Sequence, residues 1–308
     1  MRLITRSDFD GLVCAAILQE LGIIDDILFV HPKDVQDGKV AVTTDDVLAN
    51  VPFVKGCGLW FDHHSSEGQR LELHGQFQGA CEPEPSAARV IANYYGKDPA
   101  HAGKLARFDE LLMVVDIADA AQFTEVDILD PQGWMLLAFI ADPRTGLGLK
   151  KDFTVSNFEL MRRLPELLRT QDAETILSMP DFADRVVVYR EENQRYKKFL
   201  LANARIRGNA ILLDFRGMED IPSGNRFLEY VVFPDKNISV RVMDGRHRER
   251  AVISVGHSVI NRSSTVDVGA LMFTYGGGGH KAVGTCQVPY GEADRVVAEV
   301  LEAINSEG

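Results

Sequence analysis

The first 62 residues alternate short apolar runs with a helical pattern. "MRLIT" predicts a strand, and "GLVCAAILQELG" predicts a helix that ends at Gly22. Further strands are predicted at "DDILFVHP", "KVAVTT" and "CGLWF". Strands that alternate with helices form parallel sheets, because a crossover must return the chain before each new strand. The N-terminal part is therefore predicted to be an α/β domain with a parallel sheet.

Acidic and imidazole side chains follow three of these predicted strands. They are Asp8 and Asp10 after the first, Asp45 and Asp46 after "KVAVTT", and Asp62, His63 and His64 after "CGLWF". Ligands of open parallel sheets bind beyond the carboxyl ends of the strands. A set of carboxylates and imidazoles without thiolates suits Mn²⁺, and less specifically Mg²⁺, Fe²⁺ or Co²⁺, and argues against structural zinc. Two metals bridged by a carboxylate would explain two aspartates so close together.

The remainder of the chain changes character twice. Its middle is mainly helical, and "ADRVVVYREENQRYKKFLLANARI" is a charged amphipathic stretch suited to a connecting helix. After it, "NAILLDF", "EYVVF", "ISVRVM" and "RAVISVG" predict strands, and "GEADRVVAEVLEAIN" predicts a final helix. We predict a catalytic α/β domain over 1–185, a linker helix over 186–202 and a smaller α+β domain over 203–308.

Composition excludes several functional classes. The net charge is -12, with 33 basic and 45 acidic side chains, which argues against binding along a long nucleic-acid duplex. No apolar run reaches the roughly 18 residues of a membrane span, and no signal-peptide pattern begins the sequence. The four cysteines lie far apart without CxxC spacing, which argues against a disulfide framework or a zinc ribbon. We expect a cytoplasmic protein without a membrane partner.

Four segments resemble the motifs of the DHH phosphoesterases: "SDFDG", "TTDDVLANVPF", "FDHH" and "DIADAAQF". The resemblance implies that one metal is held by Asp10, Asp46, His63 and Asp119, and a second by Asp8 and Asp46. Asp46 would bridge the two metals. Asp45 is the alternative to Asp46, and Asp116 is the alternative to Asp119. The resemblance also implies two catalytic roles: His64 would face the substrate, and Asp62 would orient the histidines.

The chain departs from this family at one point. Many relatives carry a histidine a few residues before the first aspartate, where it completes the shell of the first metal. Here those positions are Ile4, Thr5 and Arg6. The resemblance implies two Mn²⁺ ions, with Mg²⁺ or Co²⁺ as alternatives. The missing histidine implies that the first of these ions binds weakly, arrives with substrate, or is absent.

The segment "NRSSTVDVGALMFTYGGGGHKAVGTCQV" resembles the DHHA1 domain, in which an R-S segment is followed by G-G-G-H. The resemblance implies a substrate-binding role for Arg262, Ser263, Gly278, Gly279 and His280. A run of glycines leaves backbone N–H groups accessible to an anion, but on its own it is equally often a turn.

A basic loop near the fourth motif offers further cations. "DPRTGLGLKK" places Arg144, Lys150 and Lys151 close together, and we select Arg144 as a further substrate contact. A solvated loop explains this segment equally well.

Together the two resemblances imply a manganese-dependent hydrolase of phosphoester or phosphoanhydride bonds in a cleft between two domains. Its substrate would be a small phosphorylated molecule or nucleotide: short single-stranded RNA, 3′-phosphoadenosine 5′-phosphate, a dinucleotide, or polyphosphate as in the exopolyphosphatase-like members. A non-catalytic nucleotide-binding protein is the alternative of a different class. A homodimer is one option for its assembly.

Overall fold

The computed structural model describes residues 1–64, 77–150 and 152–307. The chain divides into two compact units. The first comprises Met1–Gln122 and Pro131–Val187, and the second comprises Phe123–Asp130 and Val188–Gly308. The division falls inside the long helix Pro180–Asn203, which contributes residues to both units. The predicted boundaries at 185 and 202 stay a prediction.

The first unit contains a five-stranded sheet in the order β2-β1-β3-β4-β5, and every pair in it is parallel. Its strands are β1 (Arg2–Thr5), β2 (Asp26–Phe29), β3 (Asp46–Ala49), β4 (Leu59–Asp62) and β5 (Gly79–Cys81). The predicted parallel α/β sheet is confirmed. The carboxyl ends of β1, β3 and β4 lie at one edge of the sheet, since parallel strands share one direction.

Helices follow and flank these strands along the chain. They are α1 (Phe9–Glu20), α2 (Pro32–Gln36), α3 (Ala87–Gly96), α4 (Pro99–Leu105), α5 (Asp109–Asp119), α7 (Gly133–Ala141), α8 (Asn157–Thr170), α9 (Ala173–Ser178) and α10 (Pro180–Asn203), with α6 (Glu125–Leu129) belonging to the second unit. Residues 9–18 of α1 are all buried, because α3, α5 and α8 pack around this helix. This close packing restricts the movement of α1. It therefore also holds the "SDFDG" segment, which forms the amino end of this helix.

The strand predicted at "KVAVTT" is wrong. Val40 and Val42 are half-buried against Ile4 and Trp60 on one face of the sheet, which explains their alternating pattern, but they pair with none of the described strands. Both neighbours of β1 are already β2 and β3. Of these two neighbours, β3 is the strand that follows "KVAVTT" in sequence, and its pairing with β1 begins at Asp46.

The second unit contains a mixed six-stranded sheet in the order β10-β11-β9-β8-β7-β6. Its elements are β6 (Arg205–Arg207), β7 (Ala210–Asp214), α11 (Leu228–Val232), β8 (Ile238–Asp244), β9 (Arg250–His257), α12 (Val268–Phe273), β10 (Gly278–His280), β11 (Val283–Pro289) and α13 (Ala293–Glu307). Among these described strands only β7 and β8 pair in parallel. The apolar face of the sheet is packed with valines and isoleucines beneath α12 and α13.

The strand predicted at "EYVVF" is also wrong, because these residues form helix α11. The buried Glu229 carboxylate pairs with Arg241 of β8. The Tyr230 hydroxyl is 2.8 Å from Ser239 Oγ, also on β8. Two polar anchors to one strand outweigh the β-propensity of this short segment.

The glycine run forms a tight turn and the edge strand β10. Gly276 has φ +73°, a conformation that favours glycine. A Cβ on Gly277 would lie 2.2 Å from the Thr285 carbonyl oxygen, whereas a Cβ on Gly278 would meet nothing within 4 Å. Backbone conformation therefore favours glycine at position 276, and close packing requires it at position 277, whereas a side chain at position 278 would have space. In the part of the chain that the structure describes, no helix is long and apolar enough to cross a membrane.

We predict that Gly277→Ala lowers the free energy of unfolding by about 2 kcal/mol, because its Cβ collides with backbone rather than with a movable side chain. Gly278→Ala should change stability by less than about 0.5 kcal/mol. Urea denaturation of both variants checks this. Equal losses at the two positions would contradict the packing described here.

Candidate metal centre

Asp8 and Asp10 stand at the start of α1, directly beyond the end of β1. Asp8 is the N-cap and accepts a hydrogen bond at Oδ1 from the Gly11 N–H, at 3.1 Å. A Cβ on Gly11 would lie 2.1 Å from the Arg6 carbonyl oxygen, so only glycine lets the first helical turn approach the preceding loop this closely. The "SDFDG" motif thus fixes two carboxylates at the sheet edge.

The Asp10 carboxylate is held by the amino end of another helix. It accepts hydrogen bonds from the N–H groups of Ala87 and Ala88, at 3.0 and 2.8 Å, in the first turn of α3. A helix N-terminus favours an anion. Nevertheless burial, together with the Asp119 charge, raises the pKa of Asp10 to about 7. The backbone donors and the neighbouring His63 therefore compensate this carboxylate only in part.

A buried ring nitrogen of His63 lies close to the carboxylates of Asp10 and Asp119. Its Nδ1 lies 3.2 Å from the Glu84 carbonyl oxygen, and because a carbonyl only accepts, Nδ1 carries the proton. Nε2 lies 3.1 Å from Asp119 Oδ2 but is buried without a hydrogen bond of acceptable geometry. In the neutral ring this nitrogen offers a fixed lone pair, as in metal-binding histidines.

The structure distinguishes Asp119 from its alternative Asp116. Asp116 accepts hydrogen bonds from Ser86 Oγ at 2.7 Å and from Arg89 Nε at 2.8 Å, so its charge is used within the fold. Asp119 lies one turn further along α5 and faces His63. Burial raises the pKa of Asp119, but His63 lowers it more, and the net shift is below the usual range.

Ligand atoms of Asp10, His63 and Asp119 all lie within 4.8 Å of one another. Two carboxylates and one imidazole suit a hard or borderline divalent cation such as Mn²⁺, Mg²⁺, Fe²⁺ or Co²⁺. His63 Nε2, which makes no hydrogen bond of acceptable geometry, and the partly compensated Asp10 carboxylate fit such an ion. Asp62, His63 and His64 form a second group by the same criterion, and both groups are drawn from the described residues alone.

The Asp62 carboxylate orients His64 rather than His63. Its Oδ1 lies 2.7 Å from His64 Nδ1 and accepts the backbone N–H groups of His63 at 2.8 Å and His64 at 3.3 Å. The two imidazole rings lie 4.3 Å apart. His64 is about one-third exposed, so its outer nitrogen is the accessible one.

Asp46 does not join this cluster, and its assignment as a bridging ligand is corrected. It begins β3, opposite Arg2, at the amino edge of the sheet. Its carboxylate accepts from Arg2 Nε at 2.8 Å and from the Thr43 N–H at 2.7 Å. Asp45, its alternative, is exposed just before the strand. The resemblance of "TTDDVLANVPF" to a family motif led to this assignment, and the strand predicted before Asp46 supported it wrongly, since Asp46 itself begins a strand.

Asn50 occupies the position that was predicted for Asp46. It follows β3, is 1% exposed, and donates from Nδ2 to Asp8 Oδ1 at 3.1 Å. Its Oδ1 is buried without a hydrogen-bond partner, and its φ of +55° is one that asparagine tolerates. The sequence signal was present in "DVLAN", where a polar residue ends an apolar run of strand length.

Two cations lie near these carboxylates. Arg6 Nε is 2.9 Å from Asp8 Oδ2. Arg144, predicted as a substrate contact, pairs with Asp142 at 2.7 Å, and the charges of Asp8 and Asp119 also help to raise its pKa, against the opposing effect of burial. Lys150 belongs to the same loop, whereas Lys151 lies outside the described residues. Arg6 was not selected from the sequence as a site residue.

The remaining predicted residues belong to the second unit. Ser263 Oγ accepts from Asn237 Nδ2 at 3.1 Å, and Arg262 Nε donates to the Val259 carbonyl at 3.0 Å. Gly278, Gly279 and His280 form the exposed edge strand β10. Their predicted role in substrate binding stays a prediction.

Comparison with solved structures identifies two informative relatives. A pGpG-specific phosphodiesterase, PggH from Vibrio cholerae, is 41% identical, with the match covering 100% of this chain and 99% of that chain at a TM-score of 0.84. A DHH domain from a member of a family of ribosomal proteins is 12% identical, with 99% and 86% covered at a TM-score of 0.53, a likeness that shows the fold alone. No family model and no curated protein matches the chain.

The motifs, the two-unit α/β fold and the full-length similarity lead to one conclusion. This chain belongs to the DHH/DHHA1 phosphoesterase family.

Metal affinity should rise with pH. Burial lowers the pKa of His63, but Asp119 and Asp10 raise it more, to about 9, so without metal the ring is protonated at pH 7. A metal needs the neutral ring, and binding must release that proton. We expect Mn²⁺ affinity to increase about tenfold per pH unit between pH 7 and 8, and more steeply below pH 7, where Asp10 is also protonated. Calorimetric titrations with Mn²⁺ at several pH values measure this dependence. An affinity that does not change with pH would contradict the prediction.

Substitution of Asp119 should affect metal binding, whereas substitution of Asp46 should affect stability. Asp119→Asn is expected to weaken Mn²⁺ binding by about 100-fold or more, because it removes one charged ligand. Asp46→Asn should leave Mn²⁺ affinity within about twofold and lower the free energy of unfolding by about 1–3 kcal/mol, because it weakens the pairing with Arg2. Calorimetry and urea denaturation measure the two effects. Loss of metal binding in Asp46→Asn would restore the original assignment.

Proposed function

We propose that this chain is a divalent-metal-dependent phosphodiesterase that hydrolyses short oligoribonucleotides, with the linear dinucleotide pGpG as its leading substrate. The observation that carries this proposal is the clustering of ligand atoms from Asp10, His63 and Asp119 in a chain that is 41% identical over its full length to a pGpG-specific phosphodiesterase. We propose Mn²⁺ as the preferred ion, since the mixed oxygen and nitrogen ligand set suits it.

A bound divalent cation would supply an activated water and neutralise charge on the phosphoryl oxygens. The chain's own residues would hold the geometry. The N–H groups of α3 fix the Asp10 carboxylate, and the Glu84 carbonyl fixes the ring of His63. Both ligand orientations are therefore set before substrate arrives, which reduces the reorganisation needed during the reaction.

His64 would act on the substrate. Asp62 holds its Nδ1, so that Nε2 is left to meet a phosphoryl oxygen or the leaving 3′-oxygen. In the hydrolysis of pGpG the P–O3′ bond breaks, water adds to phosphorus, the 3′-oxygen takes up a proton, and two molecules of GMP result. A protonated imidazole at this place would stabilise charge or supply that proton. Arg144 would add a cation for the phosphate.

The test is hydrolysis of pGpG with Mn²⁺, followed by chromatography of GMP. We expect turnover that is lost on chelation, and a loss of about 10²–10⁴-fold in kcat for His64→Ala. His101→Ala is the matched control, because this half-buried histidine of α4 belongs to the same unit but to neither metal-binding group.

Substrate class is decided in the same assay. Short polyphosphate and 3′-phosphoadenosine 5′-phosphate should be poorer substrates than pGpG. Preferred release of phosphate from polyphosphate would favour exopolyphosphatase activity. Tight binding of pGpG without any metal-dependent turnover would instead favour a nucleotide-binding protein and overturn the proposal.

A further inference from the structure

The Asp8 carboxylate is already occupied by hydrogen-bond donors. Its Oδ1 accepts from the Gly11 N–H and from Asn50 Nδ2, each at 3.1 Å, and its Oδ2 pairs with Arg6 Nε at 2.9 Å. Two donors fill both lone-pair positions of Oδ1. Any cation bound through Oδ2 would lie next to the Arg6 guanidinium. Asp8 accordingly belongs to neither group of clustered ligand atoms among the described residues.

Asn50 lacks the charge that a bridging ligand needs. A carboxylate between two cations contributes a negative charge and two oxygens, whereas an amide is neutral and has one oxygen. Here the amide nitrogen faces Asp8, so that end of the side chain is a donor and repels a cation. Its other atom, Oδ1, is buried without a partner. As a neutral acceptor it can take hydrogen bonds, for example from a water.

We propose that this centre holds one divalent cation rather than a bridged pair, and that Arg6 and Asn50 take the place of the second cation. The inference rests on the metal-binding role proposed above. The charges of the ligand group agree with it: Arg6 cancels the negative charge of Asp8, and a single divalent ion balances those of Asp10 and Asp119. Asp62 stands outside this count, because its carboxylate contacts His64. The Arg144–Asp142 pair adds no net charge.

The guanidinium would then perform part of the work of a second metal. It is a permanent cation that needs no loading, and its fork of N–H groups suits phosphoryl oxygens. Its Nε is used by Asp8, and its side chain is about one-third exposed. Arg6 is therefore a positioning residue for Asp8 in the free protein.

The first experiment counts metal ions in the wild-type protein. Equilibrium dialysis against Mn²⁺, with elemental analysis, is expected to give one tightly bound ion per chain. Electron paramagnetic resonance of the loaded protein should show an isolated Mn²⁺ ion without exchange coupling. Two tightly bound ions, or a spectrum of a coupled pair, would overturn the proposal.

Variants test whether Arg6 and Asn50 are the cause. The double variant Arg6→Gln/Asn50→Asp removes the cation and restores a carboxylate, and we expect it to bind a second Mn²⁺ ion with exchange coupling to the first. If circular dichroism shows that it is unfolded, Arg6→Gln alone decides, with a second ion expected at millimolar Mn²⁺. A count that remains at one in the folded variant would overturn the assignment of these residues.

Arg163→Gln is the matched control, since Arg163 is a half-exposed arginine of the same unit whose partner is Asp181. It should give the wild-type count. The outcomes are distinguishable from those of the proposed function: two bound ions with pGpG hydrolysis intact refute only the single-ion inference. One bound ion without hydrolysis refutes only the function.

Discussion

The carboxylate of Asp10 connects the elements on which this centre depends. It begins α1, beyond the end of β1, and its oxygens accept two N–H groups from the first turn of α3. Two helices that follow different strands are thereby joined through one buried anion. Burial of a charge is costly unless it is compensated, and two neutral donors with a partial helix charge do so only in part. The remaining deficit makes the site a receptor for a cation.

Most of the fold could be predicted because local pattern and tertiary role agree. Strand β1, helix α1 and strand β4 each combine an apolar run with clear end signals, and all three occur where the sequence indicated. The two wrongly predicted strands lie in segments where the local sequence pattern and the tertiary role disagree. "KVAVTT" alternates because Val40 and Val42 pack on the sheet without pairing in it. "EYVVF" has strand propensity, but its Glu229 is committed to Arg241.

The site was predictable only as far as the strands were. The positions of Asp8, Asp10 and His63 follow from strands that were correctly placed, so a parallel sheet brings them to one edge. Asp46 was assigned to the site from the resemblance of "TTDDVLANVPF" to a family motif and from a strand predicted before it, whereas Asp46 begins a strand. Asn50 was not among the predicted site residues, because its amide carries no charge. The choice between Asp116 and Asp119 needed the contacts of Ser86 and Arg89, which no spacing along the chain reveals.

The substitution of protein cation for metal cation changes how such a centre responds to its surroundings. A second metal must be taken from solution, so a dinuclear centre depends on metal concentration at two sites. A guanidinium is always present and always charged, and its position is set by the Asp8 carboxylate. A chain with Arg6 and Asn50 therefore needs only one ion to balance its carboxylates. Its dependence on metal is then a property of Asp10, His63 and Asp119, and the proton on His63 makes that dependence a function of pH.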